Sequence, residues 1–505
     1  MKKSIKALLC LALVLCTLNF VPNMIAYAID VTESRLLAQM GDVNGDGEIL
    51  TEDARIALSY SIGIIELSTL EVGRADMNYD GIIDTSDVIN ILRNCADLTV
   101  DSFEPLTHKT PYTKHSSSQK VQYCETIVDY AETFATGVSG DRSNPLYTPL
   151  MKGTYDRVTK VDDEFVYLAS GRKTYKEAVK VFSGYPLPNT TVTHKDIVDY
   201  KDTSTDLYFA LDWKVPFTVT VGPQSYETGY SSREFNLVND TFTATYVDIK
   251  FYNISATDGL ERTYTQSDVI KSSKWITDSA NKTATLRIYL RETGSFYGYK
   301  AYYDEKNYLV ISIKEMPSSL AGMVIELDPG HGGEDPGAVS GSIRECNVAY
   351  DIARQLEILL EAQGATVIYS YDKNVSPVPE IVDRRLTAYE QNPDMYISIH
   401  LNSSTSSGVK GSSVYYYKNY SCELSKSISV ALAGAVKSGA GYTLENDGSH
   451  FYPFHVTRIE NCPSVLVECG YISNSSERSM MTSSSGKKAI ARGIYNGILN
   501  YINAQ

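Results

Sequence analysis

The 505-residue chain carries 46 Lys and Arg against 61 Asp and Glu, for a net charge of −15, and 43% of its residues are hydrophobic. That length exceeds one ordinary hydrophobic core and predicts several domains. The acidic balance argues against nucleic acid and against anionic membrane surfaces as partners, and it suits cation binding.

Lys2, Lys3 and Lys6 precede an apolar run from Ala7 to Phe20, and Ala26-Tyr27-Ala28 supplies the small residues of a cleavage site before Ile29. Residues 1–28 are read as a cleaved secretory signal, which predicts a secreted protein, extracellular or associated with a cell wall. The apolar run is short for a membrane span, and no later run approaches about 18 apolar residues, so no span is expected. Cleavage removes three lysines and no acid, shifting the charge from −15 to about −18. The six remaining cysteines, Cys95, Cys124, Cys346, Cys422, Cys462 and Cys469, are too dispersed for a disulfide scaffold. They read as isolated buried thiols, with Cys462 and Cys469, which flank one strand, as the candidate pair.

Residues 41–98 contain two copies of an acidic loop, starting at Asp42 and at Asp76, each followed by a helical pattern such as Val88, Ile91, Leu92 and Cys95. Oxygen-bearing residues at loop positions 1, 3, 5 and 12 with glycine at 6 form the calcium loop of an EF-hand. The first copy offers Asp42, Asn44, Asp46 and Asp53, with the Glu48 carbonyl at position 7 and Gly47 at the turn. In the second copy these are Asp76, Asn78, Asp80 and Asp87, with the Ile82 carbonyl and Gly81. Position 12 is Asp in both, where EF-hands carry the longer Glu. No convincing helix precedes either loop, which argues against a paired EF-hand sensor.

Residues 99–145 read as a linker, polar around Lys114-His115-Ser116-Ser117-Ser118, with a helix expected from Val121 to about Phe134. Residues 146–316 are dense in Tyr, Thr and Val, in short alternating runs broken by Gly, Asn and Asp, and predict one β-rich, sandwich-like domain. Its tyrosines read first as cross-strand packing, and second as a glycan-binding face.

From residue 323 strands alternate with helices, the pattern of a mainly parallel sheet. Val348, Ile352, Leu356 and Leu359 have helical spacing, and Ala365 to Tyr369 follow as a strand. Three apolar runs end in polar residues of metal-site type. Met323 to Leu327 leads into Asp328-Pro329-Gly330-His331, Met395 to Ile399 ends in His400, and Ser464 to Val467 ends in Glu468. Open α/β sheets bind ligands at the carboxyl ends of their strands, so two histidines and a carboxylate there point to a metal hydrolase. Zinc in such a site takes three protein ligands and leaves one position open. Glu345, opening the next helix, is a candidate third ligand, although a first-turn Glu is favoured by the helix dipole in any case. His450 and His455 are secondary candidates that read first as surface or packing residues, and Arg384 reads equally as a structural ion pair or a substrate contact.

These motifs carry resemblances. Leu327-Asp328-Pro329-Gly330-His331-Gly332-Gly333, then Asp335-Pro336-Gly337-Ala338, Glu345-Cys346-Asn347-Val348, Ile397-Ser398-Ile399-His400-Leu401-Asn402 and Val467-Glu468-Cys469-Gly470-Tyr471-Ile472-Ser473-Asn474 occur in one order over 323–503. That segment resembles the zinc-dependent N-acetylmuramoyl-L-alanine amidases of the amidase-3 type. The resemblance implies that His331, Glu345 and His400 hold zinc, that Glu468 is the catalytic carboxylate, and that the substrate is peptidoglycan. Tyr389 stands where the family commonly has Asn, and Ser370-Tyr371 replaces its usual Thr-Arg. The tandem loops over 41–98 resemble a dockerin, which implies two structural calcium ions and docking onto a cohesin module of a scaffold or cell-surface protein. Gly298 to Asp304 and Leu309 to Ile313 resemble the end of an AMIN-type domain, a module linked to cell-wall targeting. The expected architecture is therefore multidomain: a small all-α calcium-loop dockerin, a β-rich middle domain and an α/β catalytic domain whose mainly parallel sheet is flanked by helices. A zinc peptidase and a non-catalytic wall-binding or scaffold-assembly protein are the competing functions.

Overall fold

The computed structural model describes residues 40–45, 48–61, 64–67, 69–77, 83, 85–95, 121–135, 148–184, 190–201, 203–223, 242–372 and 381–504. The signal at 1–28, the stretch 96–120, and Asp46, Gly47, Asn78, Asp80, Gly81 and Ile82 of the acidic loops lie outside these residues.

Near the N-terminus, helices Thr51–Ser61, Thr69–Ala75 and Thr85–Cys95 gather around Val43, Ala54, Ala57, Val72, Ile83, Val88 and Ile91. Each long helix opens with a buried aspartate that accepts backbone N–H groups of its preceding loop. Asp53 accepts from Leu50 at 2.8 Å and Asn44 at 3.2 Å, and Asp87 accepts from Met77 at 2.7 Å. Loop and helix are thereby folded onto each other, and the carboxylates sit at the positive ends of the helix dipoles.

The helix expected at 121–134 is not formed, and the linker ends earlier than residue 145. Val121–Thr126 is a strand, pairing antiparallel with Tyr155–Val161 on one side and Val179–Gly184 on the other. Val121, Tyr123 and Thr126 favour a pleated surface over a helix, and two long-range strands supply ladder partners in place of a local helix. The resulting six-stranded antiparallel sheet includes Thr133–Ala135, Arg172–Tyr175 and Phe165–Leu168 and has its own core of Cys124, Ala131, Leu150, Val158, Val166 and Leu168.

A second β unit follows. Two five-stranded sheets, one centred on Ser204–Leu211 and the other on Thr283–Leu290, enclose Phe209, Trp213, Val247, Phe251, Leu286 and Ile311. The β-rich stretch is thus two units where one was expected across 146–316. Alternation along each strand does not reveal which strands share a core.

The C-terminal unit has strands β1 (Val324–Pro329), β2 (Thr366–Tyr369), β3 (Met395–Asn402), β4 (Ser412–Tyr416), β5 (Asn446–Phe451) and β6 (Ser464–Tyr471). Its helices are α1 (Glu345–Glu361), α2 (Ile381–Gln391), α3 (Cys422–Ala440), α4 (Ser475–Thr482) and α5 (Ser484–Asn503). The sheet order is β2-β1-β3-β6-β4-β5. All neighbours run parallel except β4 against β6. Apolar stripes of α1, α3 and α5, among them Ile352, Leu356, Ile428, Leu432, Ile494 and Ile498, cover Ile325, Leu327, Ile397, Ile399, Val465 and Val467 on one face. Strand residues alternate between faces, so Glu326, Asp328, Ser398, His400 and Glu468 are left to the other face. There Ala388 of α2 packs with Tyr396, Ile459, Cys462 and Leu466. Parallel β1, β3 and β6 bring their carboxyl ends to one edge.

Candidate metal centre

The strand β1 delivers Asp328 to this edge and then turns sharply. Asp328 is buried and accepts hydroxyls from Ser370 at 2.6 Å and Ser398 at 2.7 Å, and the Arg384 guanidinium at 3.1 Å. Arg384 also donates to the carbonyls of Pro329 at 3.1 Å and His331 at 2.6 Å, and it lies 4.3 Å over the Tyr371 ring. Thus Arg384 pins the loop in which His331 takes a left-handed φ of 62°. A non-glycine residue holds that conformation only where its surroundings over-determine it.

Glu345 enters from the first turn of α1. Its carboxylate accepts the Ala338 N–H at 2.8 Å and the Leu401 N–H at 2.9 Å, which fixes both oxygens. Its Oε2 lies 3.2 Å from His331 Nε2 and its Oε1 lies 3.0 Å from His400 Nδ1. The other His331 nitrogen, Nδ1, is 2.7 Å from Asp335 Oδ2. Two glycines make room for this convergence. A Cβ on Gly330 would fall 2.3 Å from His400 Cε1, and one on Gly337 would fall 2.7 Å from Glu345 Oε2.

One nitrogen from each histidine and one Glu345 oxygen all lie within 4.8 Å of one another, and among the described residues this is the one such group. Two imidazoles and a carboxylate, one imidazole steadied by an outer carboxylate, form a donor set suited to zinc. Glu468 stands beside them as the register partner of His400 across β3 and β6. Its Oε2 is buried without a hydrogen-bond partner.

Electrostatics separates the two glutamates. Burial raises the Glu345 carboxyl, but hydrogen bonds from His331 and His400 outweigh it and hold the group well below the carboxylate range. For Glu468 burial dominates, opposed by His400 and reinforced by the charge of Glu345, and pushes it up to about 7. The Glu345 hydrogen bond, offset in part by burial and aided by Asp335, raises His331 to about 9. Burial lowers His400, yet its hydrogen bond to Glu345 and the charges of Glu468 and Glu345 raise it overall. One carboxylate is therefore ionised between two imidazoles, while its neighbour titrates near neutrality.

The secondary candidates separate as well. Arg384 touches the site loop. His450 lies on β5, 3.2 Å from Asp447 and with its ring 5.5 Å from that of Tyr415. His455 instead faces Glu132 of the first β unit at 4.0 Å. Asp335 has a place that spacing had not assigned, although a carboxylate four residues after His331 in a glycine-rich loop is a signal for it. The six cysteines among the described residues are free thiols, so Cys462 and Cys469 do not pair. In the acidic loops Asp42, Asp53, Asp76 and Asp87 are buried. Asp42 accepts the Gly45 N–H at 2.8 Å.

A strand edge with this donor set and an adjoining carboxylate defines a candidate metal-dependent hydrolase site. Residues 325–500 match the N-acetylmuramoyl-L-alanine amidase family. The germination-specific N-acetylmuramoyl-L-alanine amidase of Bacillus subtilis (strain 168) is 30% identical over 197 residues, a match covering 36% of this chain and 81% of that protein. The N-acetylmuramoyl-L-alanine amidase LytC of the same organism is 29% identical over 187 residues, covering 37% of each. Among solved structures, the CwlD amidase from Clostridioides difficile, in complex with the GerS lipoprotein, is 30% identical, with 36% of this chain and 100% of that chain covered and a TM-score of 0.33. The chain belongs to the N-acetylmuramoyl-L-alanine amidase family. It spans 37% of the length of LytC and 58% of the probable cell wall amidase LytH of Staphylococcus saprophyticus.

Proposed function

We propose that the protein is a secreted peptidoglycan hydrolase that cleaves the amide bond between N-acetylmuramic acid and the L-alanine of the stem peptide. The observation that carries this reading is the convergence of His331, Glu345 and His400 beside Glu468, whose buried Oε2 has no hydrogen-bond partner. His331, Glu345 and His400 would hold zinc. When bound, zinc supplies Lewis-acid polarisation of the scissile carbonyl and acidifies water. Asp335 keeps the Nδ1 side of His331 occupied, which leaves Nε2 for the metal. Glu468 would take the proton from the attacking water and return it to the departing alanine nitrogen, a task for which its buried Oε2, free of any hydrogen bond, is available. Mass analysis of products from purified cell wall, with zinc added, tests the reading. Release of intact stem peptides supports it, and cleavage only within the peptides would replace it with a peptidase.

Delivery belongs to the rest of the chain. Residues 1–28 direct secretion, and residues 41–98 act as a dockerin that docks onto a cohesin. Asp42, Asn44, Asp46, Asp53 and the Glu48 carbonyl would hold one calcium. Asp76, Asn78, Asp80, Asp87 and the Ile82 carbonyl would hold the second. The burial of Asp53 and Asp87 at the helix starts supports this, because each carboxylate already joins loop to helix. The β-rich stretch 146–316, whose end carries the resemblance at Gly298 to Asp304 and Leu309 to Ile313, is the part we read as AMIN-like.

A further inference from the structure

The β units grip two segments of the hydrolase unit. Glu132 lies between the short strands Tyr130–Ala131 and Thr133–Ala135, and its own carbonyl accepts the Thr174 hydroxyl at 2.7 Å. Its Oε1 accepts from Arg385 at 2.9 Å and from Arg458 at 3.2 Å, and the exposures of the three side chains are 4%, 3% and 6%. Arg385 belongs to α2, and Arg458 to the stretch leading into β6, so one carboxylate joins both. Further contacts follow the same two segments. The Tyr130 ring is 5.3 Å from that of Tyr389 in α2. Lys314 donates to the carbonyls of Asn392, at 3.3 Å, and Pro393, just past the end of α2. Tyr299 gives its N–H to the Glu460 carbonyl at 3.1 Å and its hydroxyl to the Glu460 carboxylate at 2.9 Å.

Each gripped segment carries part of the site. Arg384, adjacent to Arg385, holds the carbonyls of Pro329 and His331 and so the strained loop. The stretch after Arg458 enters β6, which carries Glu468. Taking away the anion that two buried guanidiniums share is strongly disfavoured unless the surroundings move. The guanidiniums that would lose it belong to α2 and to the approach to β6.

We propose that Glu132 is a positioning residue of the hydrolase, acting through Arg385 and Arg458 to fix α2, with its Arg384, and the entry to β6. On this view the β units complete the active site in addition to delivering it. The proposal rests on the amidase reading above, and the test separates the two. Full-length Glu132→Ala and Glu132→Gln are compared with wild type for stem-peptide release and for zinc retention against a chelator. With Glu132→Ala, kcat per zinc-loaded enzyme is expected to fall about tenfold to hundredfold, with KM within about twofold. Zinc affinity is expected to fall about tenfold, as for loss of an outer support of a ligand. Glu132→Gln keeps the shape and one acceptor, so it carries the same test if the alanine variant fails to fold, with smaller losses of the same kind. A folded variant with wild-type kcat and zinc affinity would overturn the positioning role. Wild type that releases no stem peptides would sink the amidase reading instead, and zinc retention would still judge Glu132.

Discussion

His400 and Glu468 face each other in register on neighbouring parallel strands, β3 and β6. His400 turns its Nδ1 to Glu345, while Glu468 keeps a buried oxygen free of any hydrogen bond. Replacing Glu468 with Gln preserves shape and removes the proton-carrying group. For Glu468→Gln we expect kcat to fall by about 10²–10⁴-fold, with zinc content by metal analysis unchanged. Parallel loss of zinc would show Glu468 to be a ligand and would refute the division of roles.

Asp335 steadies His331 from the side away from Glu345. Outer partners of metal-binding imidazoles typically control affinity by about 10- to 100-fold. Asp335→Asn is therefore expected to lower zinc affinity by about that factor in chelator competition, while the variant regains activity at saturating zinc. An unchanged zinc affinity would remove Asp335 from the site.

Glu326 is fully buried under the face that packs on α2, and neither of its oxygens has a partner. Burial, with a smaller contribution from Asp328, raises its carboxyl to about 8. The unfolded chain loses this proton near pH 4.3, so between there and about 8 the folded state holds one more proton. Stability must then fall as pH rises, by up to about 1.4 kcal/mol per pH unit. We expect Glu326→Gln to flatten this slope and to stabilise the protein at pH 8 relative to wild type. Urea unfolding at pH 5 and pH 8 checks it, and equal slopes in the two proteins would count against a neutral Glu326.

Chelation should act differently at the two ends of the chain. Calcium removal is expected to unfold residues 41–98 and leave stem-peptide release at added zinc intact. Hydrogen exchange of the helices Thr51–Ser61 and Thr85–Cys95, with and without calcium, measures the first effect. Exchange rates that ignore calcium would remove the two-loop reading.

Much of the hydrolase site was legible because its signals are local. Strand-end residues announce themselves by an apolar run stopping at a polar side chain, as at His400 and Glu468, and a glycine-rich turn marks His331. Glu345 was ambiguous, since a glutamate in a first helical turn has a purely electrostatic use, and only its position between two imidazoles gives it another. Tyr389, an oddity of sequence, is explained by the Tyr130 ring against which it packs. The segment 121–126 is a strand where local pattern predicts a helix, because its state depends on partner strands that begin some thirty residues or more later.

The amino-acid sequence by itself determined the periodicity of each segment, the two acidic loops and the residues offered at the sheet edge. These depend on backbone preferences and spacing over a few residues. Only the tertiary structure decided that Glu132 meets Arg385 and Arg458, residues 253 and 326 positions away, and that the β-rich stretch divides into two cores. A buried charge is tolerable only where its partners are folded against it, and no local pattern records which distant segment will supply them.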